Sequence, residues 1–279
     1  MQHGFTRTRR VISDIPSVSS TPRFDPATMA WVTAVLANGG TVSLLRETVV
    51  DNLIVGLKAA GIWTKLDRLW LTAAENEPSA LTDLVGLTLA TKNGSPPFAV
   101  DDGYTGQDTS TPTNYIDSNF NPVTQGVNFA NNNCHYSAWS TTNVVVTSGG
   151  CLVGNHFFTA LFVTLFGGGN NVQGGIQDNT SPGVIGTTTD RTGLWLGNRD
   201  SSTTTQFYHN GSSFATPNVT STGFVSQNFF LMAYNSSGLA SNGSPQQHAM
   251  FSMGASLTAA QEASFYNLVR NYMTVIGVP

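Results

Sequence analysis

Charge is the first thing this chain lacks. Asp, Glu, Lys and Arg make up 10% of its 279 residues, against about a quarter in an ordinary globular protein. A formal net charge of −4 argues against a broad phosphate-binding surface, and so against nucleic acid as a partner. Lysine stops at Lys92, and no glutamate lies between Glu77 and Glu262. The two cysteines, Cys134 and Cys151, make no disulfide framework; a pair across a hairpin and two buried thiols both stay open. Long apolar runs are missing too. Residues 157–166 form the longest, broken by Thr159 and Thr164, well under the roughly 20 residues that span a bilayer. No membrane insertion is expected, and residues 11–16 are no signal-peptide core.

What remains is apolar and polar without being ionic. The 16 Phe, 5 Trp and 7 Tyr supply ample surface to bury, which excludes a disordered chain. The few charges are unevenly spread. Residues 1–100 hold nine Lys and Arg against eight acids, whereas residues 101–279 hold only Arg191, Arg199 and Arg270 against eight. The second stretch is rich in Ser, Thr, Asn and Gly, as suits turns and half-exposed strands. Its Asn-X-Ser/Thr triplets at Asn179, Asn210, Asn218, Asn235 and Asn242 reflect that richness rather than glycosylation.

The order of patterns divides the chain in three. Residues 1–24 read as an extended basic arm with Arg7, Arg9 and Arg10, either a frayed tail or a segment that orders on a partner and anchors the chain to it. Residues 25–86 read as a helical region packed on a sandwich formed by the rest of the chain. Asp25 caps a helix with Pro26 at its first position and a stripe of Met29, Val32 and Leu36 beside Trp31 and Val35. Ser43 caps a second, with Leu45, Val49, Leu53 and Leu57 four residues apart. Residues 62–71 then read as a short helix running into a strand. From 87 to 279 the pattern is strands and turns, ending in a helix. The expected strands are 115–116, 144–146, 156–166, 194–196, 206–208, 229–234 and 249–253. Asn210-Gly211 marks a tight hairpin, and Thr258 with Gln261 a capping box. This is the pattern of a mainly β, antiparallel β-sandwich.

Several motifs carry a resemblance. They are residues 56–70 with Trp63, Leu66, Leu69 and Trp70; Gly103-Tyr104-Thr105-Gly106; Tyr115-Ile116-Asp117; Asn119-Phe120-Asn121-Pro122; and residues 251–261 with the final helix. Together they resemble a family of phage and prophage virion surface proteins of the tail fibre, spike or head fibre type. Those proteins are similar to the laminin-G and concanavalin A-like jelly rolls. The likeness covers residues 26–279 in scattered motifs. The family's Asp-Thr-Gly after Tyr-Ile is here Asp117-Ser118-Asn119, and the loop before it is longer. The resemblance implies a structural protein on a virion surface, in a homo-oligomer. Other virion proteins would meet the arm, and host cell-surface polysaccharide the sandwich.

Catalysis finds little support among the residues. A glycoside hydrolase needs two carboxylates about 5–9.5 Å apart across a cleft. Asp178 and Asp190 stand among turn residues, so the chain is expected not to be an enzyme, with a depolymerase as the alternative and a purely architectural decoration or collar subunit as a third. Glycan recognition needs an aromatic platform beside amides and carboxylates, which nominates Trp139, Trp195, Asn198, Asp200 and Tyr208. Trp195, between Leu194 and Leu196, reads more readily as core than as platform. No metal site is expected from Cys134-His135, because adjacent strand residues point to opposite faces. Calcium is left as an option at Asp101-Asp102 or at Asn198 with Asp200.

Overall fold

A computed structural model describes residues 24–157, 159–163, 170–178 and 183–278. Arg7, Arg9 and Arg10 of the expected arm lie outside the described residues. The first half runs through helices α1 (Pro26–Ala37) and α2 (Leu44–Ala59), strand β1 (Leu66–Trp70), helix α3 (Glu77–Leu81), strands β2 (Thr91–Asn93), β3 (Phe98–Ala99), β4 (Gly103–Thr105) and β5 (Tyr115–Asp117), and helix α4 (Pro122–Gln125). Strands β6 (Cys134–Ser140), β7 (Cys151–His156), β8 (Thr159–Val163), β9 (Asn171–Gly175), β10 (Gly183–Thr187) and β11 (Gly193–Arg199) come next. The remainder is β12 (Gln206–His209), β13 (Ser212–Ala215), β14 (Phe230–Leu231), β15 (Tyr234–Ser236), β16 (Leu239–Ser241), β17 (Gln247–Gly254) and helix α5 (Ala259–Ile276).

The strands form a two-sheet sandwich, as the sequence pattern implied. One sheet has the order β13-β12-β11-β6-β17-β4-β3, with β1 also on β17; the other runs β10-β9-β8-β7-β14-β5-β2, with β15 and β16 attached at β7. Among the described residues the named strands pair antiparallel, except where Tyr234 of β15 meets Gly154 of β7, and an isolated parallel bridge joins Cys151 to Gly243. A third layer lies outside the first sheet, where α1, α2 and α5 pack.

This third layer leaves the central strands of the first sheet no exposed face. In β6, Tyr136 and Ala138 point between the sheets, while Trp139 points to the helices. β11 does the same, with Trp195 inward between the sheets and Leu194 and Leu196 towards the helices. All seven residues of each strand are buried. A strand covered on both faces has no solvent side on which charge is tolerated. Its polar residues pair within the sheet: His135 Nδ1 donates to the Ala255 carbonyl at 2.6 Å, and Ser137 and Ser252 share a hydrogen bond at 2.6 Å.

The helix caps fall where the sequence placed them. Asp25 accepts from the Ala27 amide, Ser43 from that of Arg46, and Thr258 with Gln261 closes a capping box. The stripes need correcting. α1 buries Thr28, Trp31 and Val35, whereas Met29 and Leu36 are 46% and 56% exposed. The helix touches the core along one narrow edge, where Trp31 Nε1 reaches the Thr82 carbonyl at 3.2 Å. On α2 the buried positions include Val49, Leu53 and Leu57, but Leu45 is 68% exposed.

Three expected strands differ. Residues 144–146 are not a strand, because β6 and β7 belong to opposite sheets and the chain must cross between them. Residues 156–166 hold the end of one strand and the whole of another, since His156 and Thr159 pair across a reversal. Residues 229–234 divide at Met232, whose φ of 66° leaves the extended region. Asn210 and Gly211, with φ of 51° and 73°, make the expected hairpin between β12 and β13.

Candidate functional site

The residues nominated for glycan binding do not form a platform. Trp139 and Trp195 stand on neighbouring strands, but Leu194 is the partner of Trp139 and Ala138 that of Trp195. The two indoles therefore leave opposite faces of the sheet. Trp139 is 1% exposed and stacks on Tyr266 at 5.8 Å; Trp195 has no exposed surface and stacks on His209 at 3.9 Å. Tyr208 faces the helix layer and is 8% exposed. Asn198 is buried and ties the end of β11 to the start of α5. Its Oδ1 accepts from the Leu257 amide at 2.8 Å, and its Nδ2 donates to the Leu257 carbonyl at 3.1 Å. Only Asp200 reaches solvent, beside Gln206 Nε2 at 3.4 Å. The expected aromatic face is thus core: the helix layer covers Trp139 and Tyr208, and Trp195 is closed in between the two sheets.

The other nominated groups are spoken for. Asp101 pairs with Arg46. Asp178 is buried against Arg199 at 2.7 Å, and Asp190 accepts from the Thr192 amide at 2.9 Å. Cys134 and Cys151 are free, buried thiols. Among the described residues no three His, Cys, Asp or Glu gather as a metal would need, and no helix is long and apolar enough to cross a membrane.

An unforeseen groove of about 440 Å³ lies at the edge of the second sheet, lined by Asn93, Gly94, Thr111, Pro112, Thr113, Tyr115, Gly238, Leu239 and Ala240. Its floor comes from the β2–β5 pair, in which Asn93 is the partner of Tyr115. One wall is the loop 106–114. Gln107 Oε1 gathers the amides of Thr113 and Asn114 at 2.8 and 3.0 Å, and Asn242 and Gly243 donate to the carbonyls of Ser110 and Thr109. Pro112 seats on Gly243, where a Cβ would stand 2.8 Å from the proline ring. The other wall is the β15–β16 hairpin. Its turn residues Ser237 and Gly238 have φ of 54° and 93°, and Gly238 N–H donates to Asn235 Oδ1 at 2.7 Å.

The groove combines one aromatic ring with small polar groups. Tyr115 is half-buried and rests against Phe230 at 4.6 Å. Burial, and then the Asp117 carboxylate, push its hydroxyl up from the ordinary tyrosine value. Thr111 and Thr113 are exposed, and Leu239, at 74% exposure, stands at the rim. A second depression of about 450 Å³ between α2 and α5 is lined by Leu45, Val49, Leu53, Leu268, Val275 and neighbours. Its one aromatic hydroxyl, on Tyr272, donates to the Ala73 carbonyl at 2.9 Å. In the sequence, Tyr115 and the long loop before it stand out only as motif features. The signal that marks the groove is a Pro-Thr-Asn turn running straight into an aromatic at a sheet edge.

No family model and no curated protein matches the chain. Solved structures do. A Trypanosoma rangeli sialidase mutant displaying trans-sialidase activity aligns at 10% identity with a TM-score of 0.52, over 82% of this chain and 40% of that one. The same sialidase in complex with sialic acid aligns at 9% and 0.51, over 78% and 38%. A botulinum neurotoxin type C structure, of a toxin whose cell entry depends on two ganglioside molecules, aligns at 14% and 0.51, over 75% and 52%. The chain spans about two fifths to one half of the length of these proteins. At such identities the likeness establishes the sandwich fold. It also corrects one expectation. The chain was expected not to be an enzyme, yet sialidases carry this fold, and the non-enzymatic reading is withdrawn.

Proposed function

We propose that this chain is a carbohydrate-binding β-sandwich displayed on the surface of a phage or phage-like particle, where it attaches to host surface glycan. Its contact with sugar is the groove at Tyr115, and that groove is the observation on which the reading rests. An aromatic face beside exposed hydroxyls and an amide suits a pyranose, which offers an apolar C–H face and a ring of hydroxyls. The names of the fold neighbours add support, since one binds sialic acid and another depends on gangliosides. The virion part of the reading rests on the resemblance of residues 26–279 to tail fibre, spike and head fibre proteins. In this reading residues 1–24 and the helical layer face the particle or sister copies of a homo-oligomer, and the groove faces outward.

The test is retention of the purified chain on intact host-type cells and on their isolated capsular and lipopolysaccharide fractions, with release of reducing ends measured alongside. Retention that falls with Tyr115→Ala supports the reading, and retention unchanged by that variant removes the groove from it. Release of sugar ends moves the reading to a depolymerase. For the particle, deletion of residues 1–24 is expected to leave a folded protein that no longer joins its assembly. Normal incorporation of that truncation ends the anchoring idea.

A further inference from the structure

Among the described residues no cation lines the groove, and several of the nearest ones in sequence or on the sandwich are engaged elsewhere. None of the nine lining residues is Lys, Arg or His. Lys92, next in sequence to Asn93, pairs with Glu77. Arg199 is fully buried with Asp178. Arg191 is 3% exposed and donates to Asn143 and Asn170, and Arg270 lies over the Trp139 ring on the helix layer. His135 and His248 have no exposed surface, and His209 is held by the Thr192 carbonyl and Trp195. The charge that does act on Tyr115 is negative, from Asp117 two residues on.

Resting on the glycan-attachment reading, we infer that this groove takes uncharged sugar residues and disfavours those bearing a carboxylate, sulfate or phosphate. An anionic sugar is held by charge-assisted hydrogen bonds from Arg or Lys, which are roughly twice as strong as neutral ones. Here its charge would meet hydroxyls, an amide and the field of Asp117, and would lose water without gaining a counter-charge. An uncharged pyranose has no such penalty. Its apolar face covers Tyr115 and Leu239, and its hydroxyls exchange hydrogen bonds with Thr111, Thr113 and Asn93. The selectivity differs from that of the neighbouring sialidase, whose sialic acid is an anion.

The experiment immobilises uncharged polysaccharides (dextran, mannan, galactan) and anionic ones (polysialic acid, hyaluronate) and measures binding of the full chain at low and high salt. Two variants run beside it, Tyr115→Ala and the rim change Leu239→Lys, with circular dichroism confirming that each is folded. The expected result is binding to at least one uncharged polymer, indifferent to salt and reduced at least about tenfold by Tyr115→Ala. Leu239→Lys is expected to add salt-sensitive binding to the anionic polymers. Anionic binding by the parent chain that Tyr115→Ala abolishes overturns the inference while leaving a glycan site in place. Binding to neither class overturns the glycan site itself, and uncharged binding that survives Tyr115→Ala places the contact elsewhere and overturns the inference.

Discussion

His135 and His248 sit on β6 and β17 with hydrogen bonds suited to neutral rings. Burial pushes His135 down to about 4 and His248 down to about 3. An unfolded histidine takes its proton near 6.5, so the unfolded chain gains protons that the native one refuses. Each histidine's contribution to stability therefore falls as pH drops from about 6.5 towards 4. Asp83 has the opposite sign, because burial raises it to about 6 against the pull of the Leu69, Val85 and Gly86 amides and of Arg68. Its contribution is largest in acid and fades as pH rises towards 6. Urea midpoints at neutral and acid pH separate the two. The deficit of His248→Gln is expected to shrink on acidification, and that of Asp83→Asn to grow. Arg199→Ala should be severe at neutral pH, at about 3–5 kcal/mol, because it strands the Asp178 carboxylate in the interior, and less so in acid, where that carboxyl takes a proton; urea titrations at the two pH values read it directly. Residue types alone mark none of this. Trp195 between two leucines is legible as core, but a histidine or an aspartate reads the same in a loop as inside a sheet.

At the scale of elements, what was legible is what is local. Asp25, Ser43 and Thr258 announce helix starts because a cap bonds an amide two or three residues away. Thr258→Ala is expected to destabilise by about 1 kcal/mol, seen as a lower melting temperature with the fold unchanged. Asn210-Gly211 announces a hairpin for the same reason. The runs at 144–146, 156–166 and 229–234 misled because apolar character persists through a crossing between sheets, a reversal and a left-handed residue. The groove was hidden by the same limit. Its parts at 93–94, 111–115 and 238–240 are brought together by strand pairing and by the Gln107 and Asn242 hydrogen bonds, not by nearness in sequence. Tyr115 was visible as a strand residue, and its neighbours were not.

For the whole molecule the helical layer is part of the core rather than an appendage. Trp139, Leu194, Leu196 and Met250 of the first sheet share one apolar cluster with Val35, Leu53, Phe265 and Val269 of the helices. A chain shortened to residues 87–279 loses α1, α2 and β1, and opens that cluster to water. It is expected to bind a hydrophobic dye and aggregate at concentrations where the full chain stays clear, as light scattering would record. The sequence suggested this packing through helices with stripes to bury, but not that β1 would enter the sheet beside β17. That pairing sets an order of events in the cell. Arg46 of α2 meets Tyr272 of α5 across 226 residues, and Thr72 meets the His248 carbonyl across 176. At about 5–20 residues per second, a ribosome leaves the first helices and β1 waiting for roughly ten to forty-five seconds before their partners emerge. Through that interval the faces of Leu53 and Leu69 that meet the last strand and the last helix lack those partners, so the nascent chain is expected to expose apolar surface until its last helix is made.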